Sequence, residues 1–582
     1  MAYSFPEKVS ALDVRYGNDA ELDALLLHFM TENNLEHSID PQKNASGEQI
    51  RFAVALHDGD FYAPCSDWMF MQLLKSELPP ELKREYAKQW ERFEQLVEKF
   101  IDNSYTKTRL LTLGRHKYDM AIDGRILIPS RLMKRLLTIF ITQSGIEDPY
   151  RLERQQQNSR AFDLIMSKAF DSYLNEIPEG FEPGRIDAMQ REIRLVQLER
   201  LLQLSVHSEL CSADNNGDSD FMLEDLKNEG PMCFPALREA LESDGPQKIL
   251  YMPSSSGELI LDIQVIRALL RMGHRVILAL NEGFYFNSPT VWDHEHDDKL
   301  HEMLDGAHFV TESSLSKNEL LQRVKENPFL VISTGMRERF NPYRMGVTFS
   351  RAWKEVDFII SKGHSHHRRF AQTQHQFTRD IFSLYCDKSK KMTFSHIPKA
   401  KWAKKFTDAY IRSKADEIIA EMREAKAAGH AVMFYSGVIG SVPGQVDNAI
   451  KVMKAFVKDL RDRLDSVYII NPAEHFEEGM DADDLMYMWE RVQRSGYITV
   501  WRFQSVADIE KSFELLGERV PPVWAGKDST YSTGCTKEMN IALDVQRGNR
   551  ELQILGPAPE KFFRRREYGV GKFCDAAIDD CA

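Results

Sequence analysis

Four short apolar runs between Lys248 and Ser361, KILYMP, RVILAL, FLVIST and VDFIIS, constrain this chain more than any other feature. Each is too short for a helix and is bounded by polar or small residues. Between the first two lies ELILDIQVIRALLRMGH, whose apolar positions recur at helical spacing up to Gly273. Strand, helix and strand at this spacing make a βαβ unit, so the sheet is expected to be parallel and covered on both faces. Ligands of such sheets bind outside the carboxyl ends of the strands. The loops near Ser254, Asn287, Gly335 and Lys362 are therefore the expected working surface.

The rest of the chain follows two patterns. ELKREYAKQWERFEQLVEKFI and IDAMQREIRLVQLERLLQLSV carry apolar residues at helical spacing, with Pro149, Pro178 and Pro183 as punctuation and a polar loop over Ser212 to Asp220. FAVALHDGDFYAPC is expected to hold a short strand. After a helical connector, FTDAYIRSKADEIIAEMREAKAAGH, the apolar runs AVMFYS, VYIIN, YITVWRF and ELQIL predict a second α/β segment. The expected fold class is α/β, with a mainly helical region over 1–240, a parallel α/β core over 241–400 and a second α/β domain over 401–582.

Charge and cysteine usage exclude several functions. Net charge is −13, from 75 basic and 88 acidic residues, which argues against nucleic acid or an anionic membrane as partner. Seven cysteines, odd in number and never spaced as CxxC, disfavour a disulfide framework or a structural zinc site and suit a reducing compartment. The start, MAYSFPEKVSALDVRYG, lacks a signal-peptide pattern, and the apolar stretch Leu136 to Ile141 is far too short to span a bilayer. The expectation is a cytoplasmic protein.

Polar residues gather at the strand ends. Ser254, Ser255, Ser256, Gly257 and Glu258 open directly into a helix, where serines either cap backbone N–H groups or receive a phosphate. The second run leads to Asn287 and Ser288, then to an acidic stretch, Asp293 to Asp298. Consecutive helical residues point in different directions, so His294, Glu295, His296 and Asp297 read as a solvated helix start rather than a metal site. The third run ends in Ser333, Thr334 and Gly335. The fourth ends in Lys362 and Gly363, followed by His364, His366, His367, Arg368 and Arg369. An apolar strand delivers Lys362 to the crevice, whereas Arg368 and Arg369 read as a solvated basic loop.

Taken in order, these segments resemble the damage-control phosphatase family, also described as acidic-residue methyltransferase-like proteins, from about Lys83 to Ala400. DPYRLERQQQNSRA resembles the family's Asp-Pro-Tyr segment followed by an asparagine on a helix. ILYMPSSSGELILD resembles its strand, Asp-Asn-Ala-Gly-Glu and apolar helix, and FNSPTVWD its Asn-Asp-Ala-Thr segment. VISTG and DFIISKG resemble its last two core strands. The resemblance implies a helical region ahead of a Rossmann-like α/β/α domain. It also implies hydrolysis of phosphometabolites, often sugar phosphates, with bound Mg²⁺, Mn²⁺, Co²⁺ or Ni²⁺.

In the family that metal is held by the Asp-Asn pair and by the aspartate of the Asn-Asp pair; here those positions are Ser254, Ser255 and Ser288. Hydroxyls supply no charge to offset dehydration of a hard cation, so the metal half departs from the pattern. Glu258, Asn287, Gly335, Lys362 and Gly363 match it. The anion is expected on the serine loop, Asn287, Thr334, Gly335 and Lys362, with His364 or His366 as acid or base. Two alternatives stand beside hydrolysis: a non-hydrolytic phosphometabolite-binding protein, and S-adenosylmethionine-dependent or other group transfer.

The carboxyl-terminal segment carries two further candidates and no family resemblance. FYSGVIGSVPGQVDNAI places Ser436, Gly437, Gly440, Ser441 and Gly444 between a strand and a helix, as a phosphate-binding turn or a plain βα turn. WAGKDSTYSTGCTKEM gathers Lys527, Asp528 and Cys535 in what reads as a polar loop, and Cys535 would need a neighbouring base to act as a nucleophile. Both α/β domains are expected to contribute to one cleft.

Overall fold

The chain divides into two units, Met1–Ala403 and Lys404–Ala582. The computed structural model describes residues 17, 19–33, 44–57, 60–75, 77–176, 186–211, 223–224, 226, 234–243, 245–387, 390–442, 445–475, 477 and 479–563. The expected loop over Ser212 to Asp220, Pro178, Pro183 and Gly444 lie outside these residues.

The first unit holds a seven-stranded sheet. Its strands are β1 (Lys248–Met252), β2 (Arg275–Leu280), β3 (His308–Val310), β4 (Phe329–Ser333), β5 (Phe358–Lys362), β6 (Asp380–Cys386) and β7 (Met392–Ile397), in the order β3-β4-β2-β1-β5-β6-β7. Every pairing is parallel except β6 with β7. The four apolar runs are β1, β2, β4 and β5. The other three strands had no continuous apolar run to betray them: β3 has three residues, while DIFSLYC and MTFSHI are interrupted by serine.

Alternate residues of the central strands feed two cores. Ile249 and Tyr251 pack with the helices Glu258–Arg271 and Ile186–Ser205, whereas Leu250 and Met252 pack with Phe349 and Trp353 of the helix Val347–Glu355. From β1 the chain moves to β2 on one side and later inserts β5 on the other, so the strand order reverses between β1 and β5. That reversal is where an open parallel sheet leaves a crevice.

The helices Pro80–Phe100, Ser104–Gly124 and Pro129–Ser144 build a third core, which Tyr285 from the loop after β2 joins. Two of these helices begin with proline, whose missing N–H costs nothing at a helix start. Among its described residues FAVALHDGDFYAPC forms no strand. Val54 pairs with Phe377 through an isolated bridge, and Phe52, Phe61 and Tyr62 are buried along the segment.

The second unit carries β8 (Ala431–Ser436), β9 (Val467–Ile470), β10 (Val500–Phe503) and β11 (Gln553–Leu555), all parallel, in the order β11-β10-β8-β9. Each lies within one of the apolar runs. Among the described residues no helix is long and apolar enough to cross a membrane.

Gly335, just past β4, has φ +76°, and a Cβ there would sit 2.5 Å from the backbone nitrogen of Gly346. Gly245 has φ +82° with open space around it. Gly245→Ala is expected to cost only the left-handed conformation, about 1–2 kcal/mol. Gly335→Ala adds overpacking, about 1–3 kcal/mol more. Urea unfolding midpoints of the two variants measure the difference.

Candidate active site

A cavity of about 200 Å³ lies at the carboxyl ends of the central strands. Its walls come from four loops: Ser254 and Ser255 after β1, Asn281 and Tyr285 to Pro289 after β2, Thr334 and Glu338 to Phe340 after β4, and Lys362, Ser365 and His366 at the end of β5. Backbone bonds lock these loops together. Ser256 N–H donates to the Asn287 carbonyl (2.9 Å), and Thr334 N–H donates to the Leu280 carbonyl (2.8 Å). Gly363, at φ +96°, passes so close to Ser254 that any Cβ there would overlap its hydroxyl.

Phe286 sits at φ +55°, a conformation that bulky residues rarely adopt and that concentrates at functional sites. The turn is held from outside, with the Arg92 guanidinium 5.1 Å from the Phe286 ring centroid and the Tyr150 ring at 5.7 Å. Helical-region residues thereby fix the turn that carries Asn287 and Ser288 at the cavity wall.

The serine loop is anchored from below. Asn158, on the helix Arg151–Ile165, accepts from Gly257 N–H (2.6 Å) and donates to Asp297 Oδ2 (2.8 Å). Arg154, one turn earlier, is clamped between Asp148 (2.5 Å) and Asp293 (2.6 Å). The expected solvated acidic run is corrected here. Asp293 and Asp297 are buried because that helix supplies their partners, and Asp297 also caps the helix Asp298–Met303. The serines do not cap the helix Glu258–Arg271, whose N-cap is Gly257 and which has no side-chain cap.

Lys362 is 1% exposed. Its Nζ lies 2.6 Å from Asp262 Oδ1 and 3.2 Å from Glu258 Oε2, and it donates to the Ser205 carbonyl. Tyr251 donates its hydroxyl to the same Asp262 oxygen (2.7 Å). Burial pulls the lysine down, but the charges of Asp262 and then Glu258 outweigh it and hold Lys362 above its ordinary range. Burial also pushes Asp262 up to about 6 against the pull of Lys362. The lysine's charge is thus answered inside the protein by two carboxylates. Asp262, the last residue of ELILD, carried no signal in the sequence because it stands among apolar helix positions.

Arg339 is the cation of the cavity wall that forms no ion pair among the described residues. Its guanidinium lies 6.0 Å from the Tyr285 ring centroid. Sequence reading passed over it as one arginine of several in MRERFNPYRMG, and two neighbours are spoken for. Glu338 accepts from Arg131 (2.7 Å) and lies 3.9 Å from Arg344.

The expected solvated loop at Arg369 is also corrected. Arg369 is buried and donates to the carbonyls of Pro64 and Phe340 and to the Ser130 hydroxyl (3.2 Å), because the segment folds as the helix His364–Phe370 against the amino-terminal region.

Of the two histidines only His366 lines the cavity. Burial, with Arg369 beside it, pushes it down to about 4. Its Nδ1 is buried without a hydrogen-bond partner, and at neutral pH the ring is uncharged. His364 is exposed with its ring 5.2 Å from Tyr385, and burial, Arg368 and Arg339 lower its pKa.

Ser254, Ser255 and Ser288, the serines that the sequence resemblance set against the family's metal positions, all line the cavity. Among the described residues no group of three or more His, Cys, Asp or Glu is arranged to hold a metal ion. The wall carboxylate, Glu338, is engaged by Arg131, and Glu258 and Asp262 by Lys362. A divalent cation that prefers charged oxygens does not fit this donor set.

In the second unit, Ser436 and Gly437 end β8, and Cys535 meets them with its Sγ 3.3 Å from the Gly437 carbonyl. Gly440 and Ser441 follow in the loop, and a Cβ on Gly440 would meet nothing. Lys527 lies 4.1 Å over the Tyr531 ring, and Asp528 accepts from Thr530 N–H (2.9 Å). From Thr533 onward the expected polar loop is instead the helix Thr533–Gly548, capped by Ser532.

Residues 69–396 match the family model of the damage-control phosphatase ARMT1-like domain. Among solved structures, the chain is similar to a DUF89 family protein from Pyrococcus horikoshii at 16% identity, covering 52% of this chain and 90% of that one, with a TM-score of 0.36. No curated protein matches the chain.

Because Asp262 is raised, its acid form favours folding. That contribution is complete below its ordinary value near 3.8 and is lost as pH rises through about 6. Lys362→Met removes the opposing cation, so ionised Asp262 and Glu258 become uncompensated. The variant is expected to lose about 3–5 kcal/mol at pH 8 and less at pH 5, where protonation relieves Asp262. Urea midpoints at both values check this, and equal losses at the two would refute it.

Proposed function

The chain belongs to the ARMT1-like damage-control phosphatase family, and on that premise we propose that it hydrolyses a small phosphorylated metabolite, of sugar-phosphate size, at the β1–β5 crevice. The observation that carries this reading is Arg339, a guanidinium without an ion pair among the described residues, in a wall whose other ion-pairing side chains, Glu338 and Lys362, are already paired. Guanidinium recognises phosphate bidentately. Ser254, Ser255, Asn287 and Ser288 supply further donors to phosphate or sugar oxygens.

Phosphoryl transfer needs positioning and charge neutralisation more than covalent chemistry. In this reading Arg339 neutralises the phosphate and His366 Nδ1 accepts a proton from the attacking water as the phosphate ester bond breaks. The alcohol leaves with a proton returned from solvent. Lys362 acts through position, fixing Glu258 and Asp262 beneath the serine loop. No step passes through a metal, because the donors present do not fit one. A second reading, a binding protein that keeps the anion and does not hydrolyse it, is favoured by the three serines at the metal positions.

Phosphate release from a panel of sugar phosphates, with and without Mg²⁺, Mn²⁺, Co²⁺ or Ni²⁺, separates the two. Hydrolysis predicts release that is unchanged by chelator. Arg339→Ala should raise KM at least about tenfold, the equivalent of about 1.4 kcal/mol. The rate should rise with pH through about 4 and level off, as His366 loses its proton. No release under either condition, with release appearing only in the variant S254D/S255N/S288D supplied with metal, would establish the binding reading.

A further inference from the structure

The second unit lies beyond residues 69–396 and has a topological reversal of its own. From β8 the chain passes to β9 on one side and then to β10 on the other, so the order reverses between β8 and β10. Parallel sheets take their ligands at that place, outside the carboxyl ends of the strands.

Polar side chains are buried there without partners. Tyr435 and Arg502 are registered neighbours on β8 and β10, and Gln504 follows two residues later on the same face. Gln504 Oε1 accepts from Val438 N–H (3.0 Å), which spans the gap between the strand ends and leaves Nε2 without an acceptor. The Tyr435 hydroxyl lies beside that amide at no proper hydrogen-bonding geometry. Ser529 donates its N–H to the Gln504 carbonyl (2.8 Å) and keeps an unpaired Oγ. Arg502 spends one nitrogen on Asp508 (2.7 Å), and its buried Nε finds no acceptor. Tyr435, Gln504 and Ser529 are all 0% exposed.

The backbone is also brought close. A Cβ on Gly437 would lie 2.9 Å from Met453 Sδ and 3.2 Å from Gln504 Oε1. On the opposite face Glu538 accepts from Gln493 (3.0 Å) beside Ser436 and Cys535, and burial pushes its carboxyl up to about 7. Protein interiors seldom leave polar groups unsatisfied. Here the unsatisfied atoms are four donors, Tyr435 Oη–H, Arg502 Nε–H, Gln504 Nε2–H and Ser529 Oγ–H, all at one strand end. A ligand that answers them brings acceptors.

We propose that the carboxyl ends of β8 and β10 form a second ligand site, which holds a small oxyanion, the carboxylate or phosphate group of a metabolite, on Tyr435, Arg502, Gln504 and Ser529. Asp508 already offsets part of the Arg502 charge, so the site suits a singly charged group.

Calorimetric titration of the full chain tests this, with inorganic phosphate and succinate as separate probes. Arg339→Ala is introduced throughout to weaken anion binding in the cavity of the first unit, and the second-unit substitutions are read against that background. One binding event is expected to remain for at least one probe, and whichever probe gives it identifies the oxyanion. Gln504→Glu keeps the acceptor for Val438 and puts negative charge where the amide was, so it should weaken binding at least tenfold. Ser529→Ala should weaken it severalfold while the melting temperature of the unliganded chain holds or rises, since an unpaired hydroxyl is removed. If Gln504→Glu does not fold, Ser529→Ala decides alone. No binding of either anion to the Arg339→Ala chain, or binding that neither substitution moves, overturns the proposal. Because Gln504 and Ser529 lie in the second unit, outside the first cavity, this result is independent of whether the chain hydrolyses phosphate esters.

Discussion

The buried contact of Lys362 with Asp262 and Glu258 is the constraint on which the rest of the first unit depends. It joins three elements: the end of β5, the helix after β1, and, through the Ser205 carbonyl, the last turn of the helix Ile186–Ser205. An ion pair withdrawn from water gains little net stability, yet removing one partner strands a charge in a medium that cannot solvate it. The elements are therefore held in one arrangement. The crevice between β1 and β5 inherits its shape from that arrangement.

The same contact reassigns the chemistry above it. A lysine at the end of a parallel strand is the natural anion holder, but this one is neutralised from below. The wall cation that no described carboxylate answers is Arg339, and His366 is kept neutral by burial and by Arg369, which suits it to the role of proton acceptor proposed above. Around them the wall's other charged side chains, Glu338 and Lys362, are paired within the protein, and its serines and amides are uncharged. A site built this way can orient an anion, and it offers a hard metal ion little reason to shed its water.

Much of the fold was legible, for stated reasons. Runs of four to six apolar residues flanked by polar ones mark strands buried on both faces, and all four of the first unit and all four of the second sit where the runs predict. The edge strand β7 and its neighbour β6 escaped notice because serine interrupts DIFSLYC, and serine and histidine interrupt MTFSHI. The acidic stretch after Trp292 looked solvated because its partners, Arg154 and Asn158, lie on a helix about 140 residues earlier. Arg369 looked like one more surface cation for the same reason, since its acceptors are backbone carbonyls that leave no mark in sequence.

The sequence by itself determined the class of the fold, the strand ends that carry the cavity, and the serines that line it. These follow from local pattern and residue identity, which do not depend on partners far away in the chain. The tertiary structure alone decided which cation is spent and which is left, that a half-buried turn at Phe286 positions Asn287 and Ser288, and that unsatisfied donors gather at the ends of β8 and β10. Those outcomes rest on pairing between residues distant in sequence. A charge's neighbours, and so its availability, are set by packing.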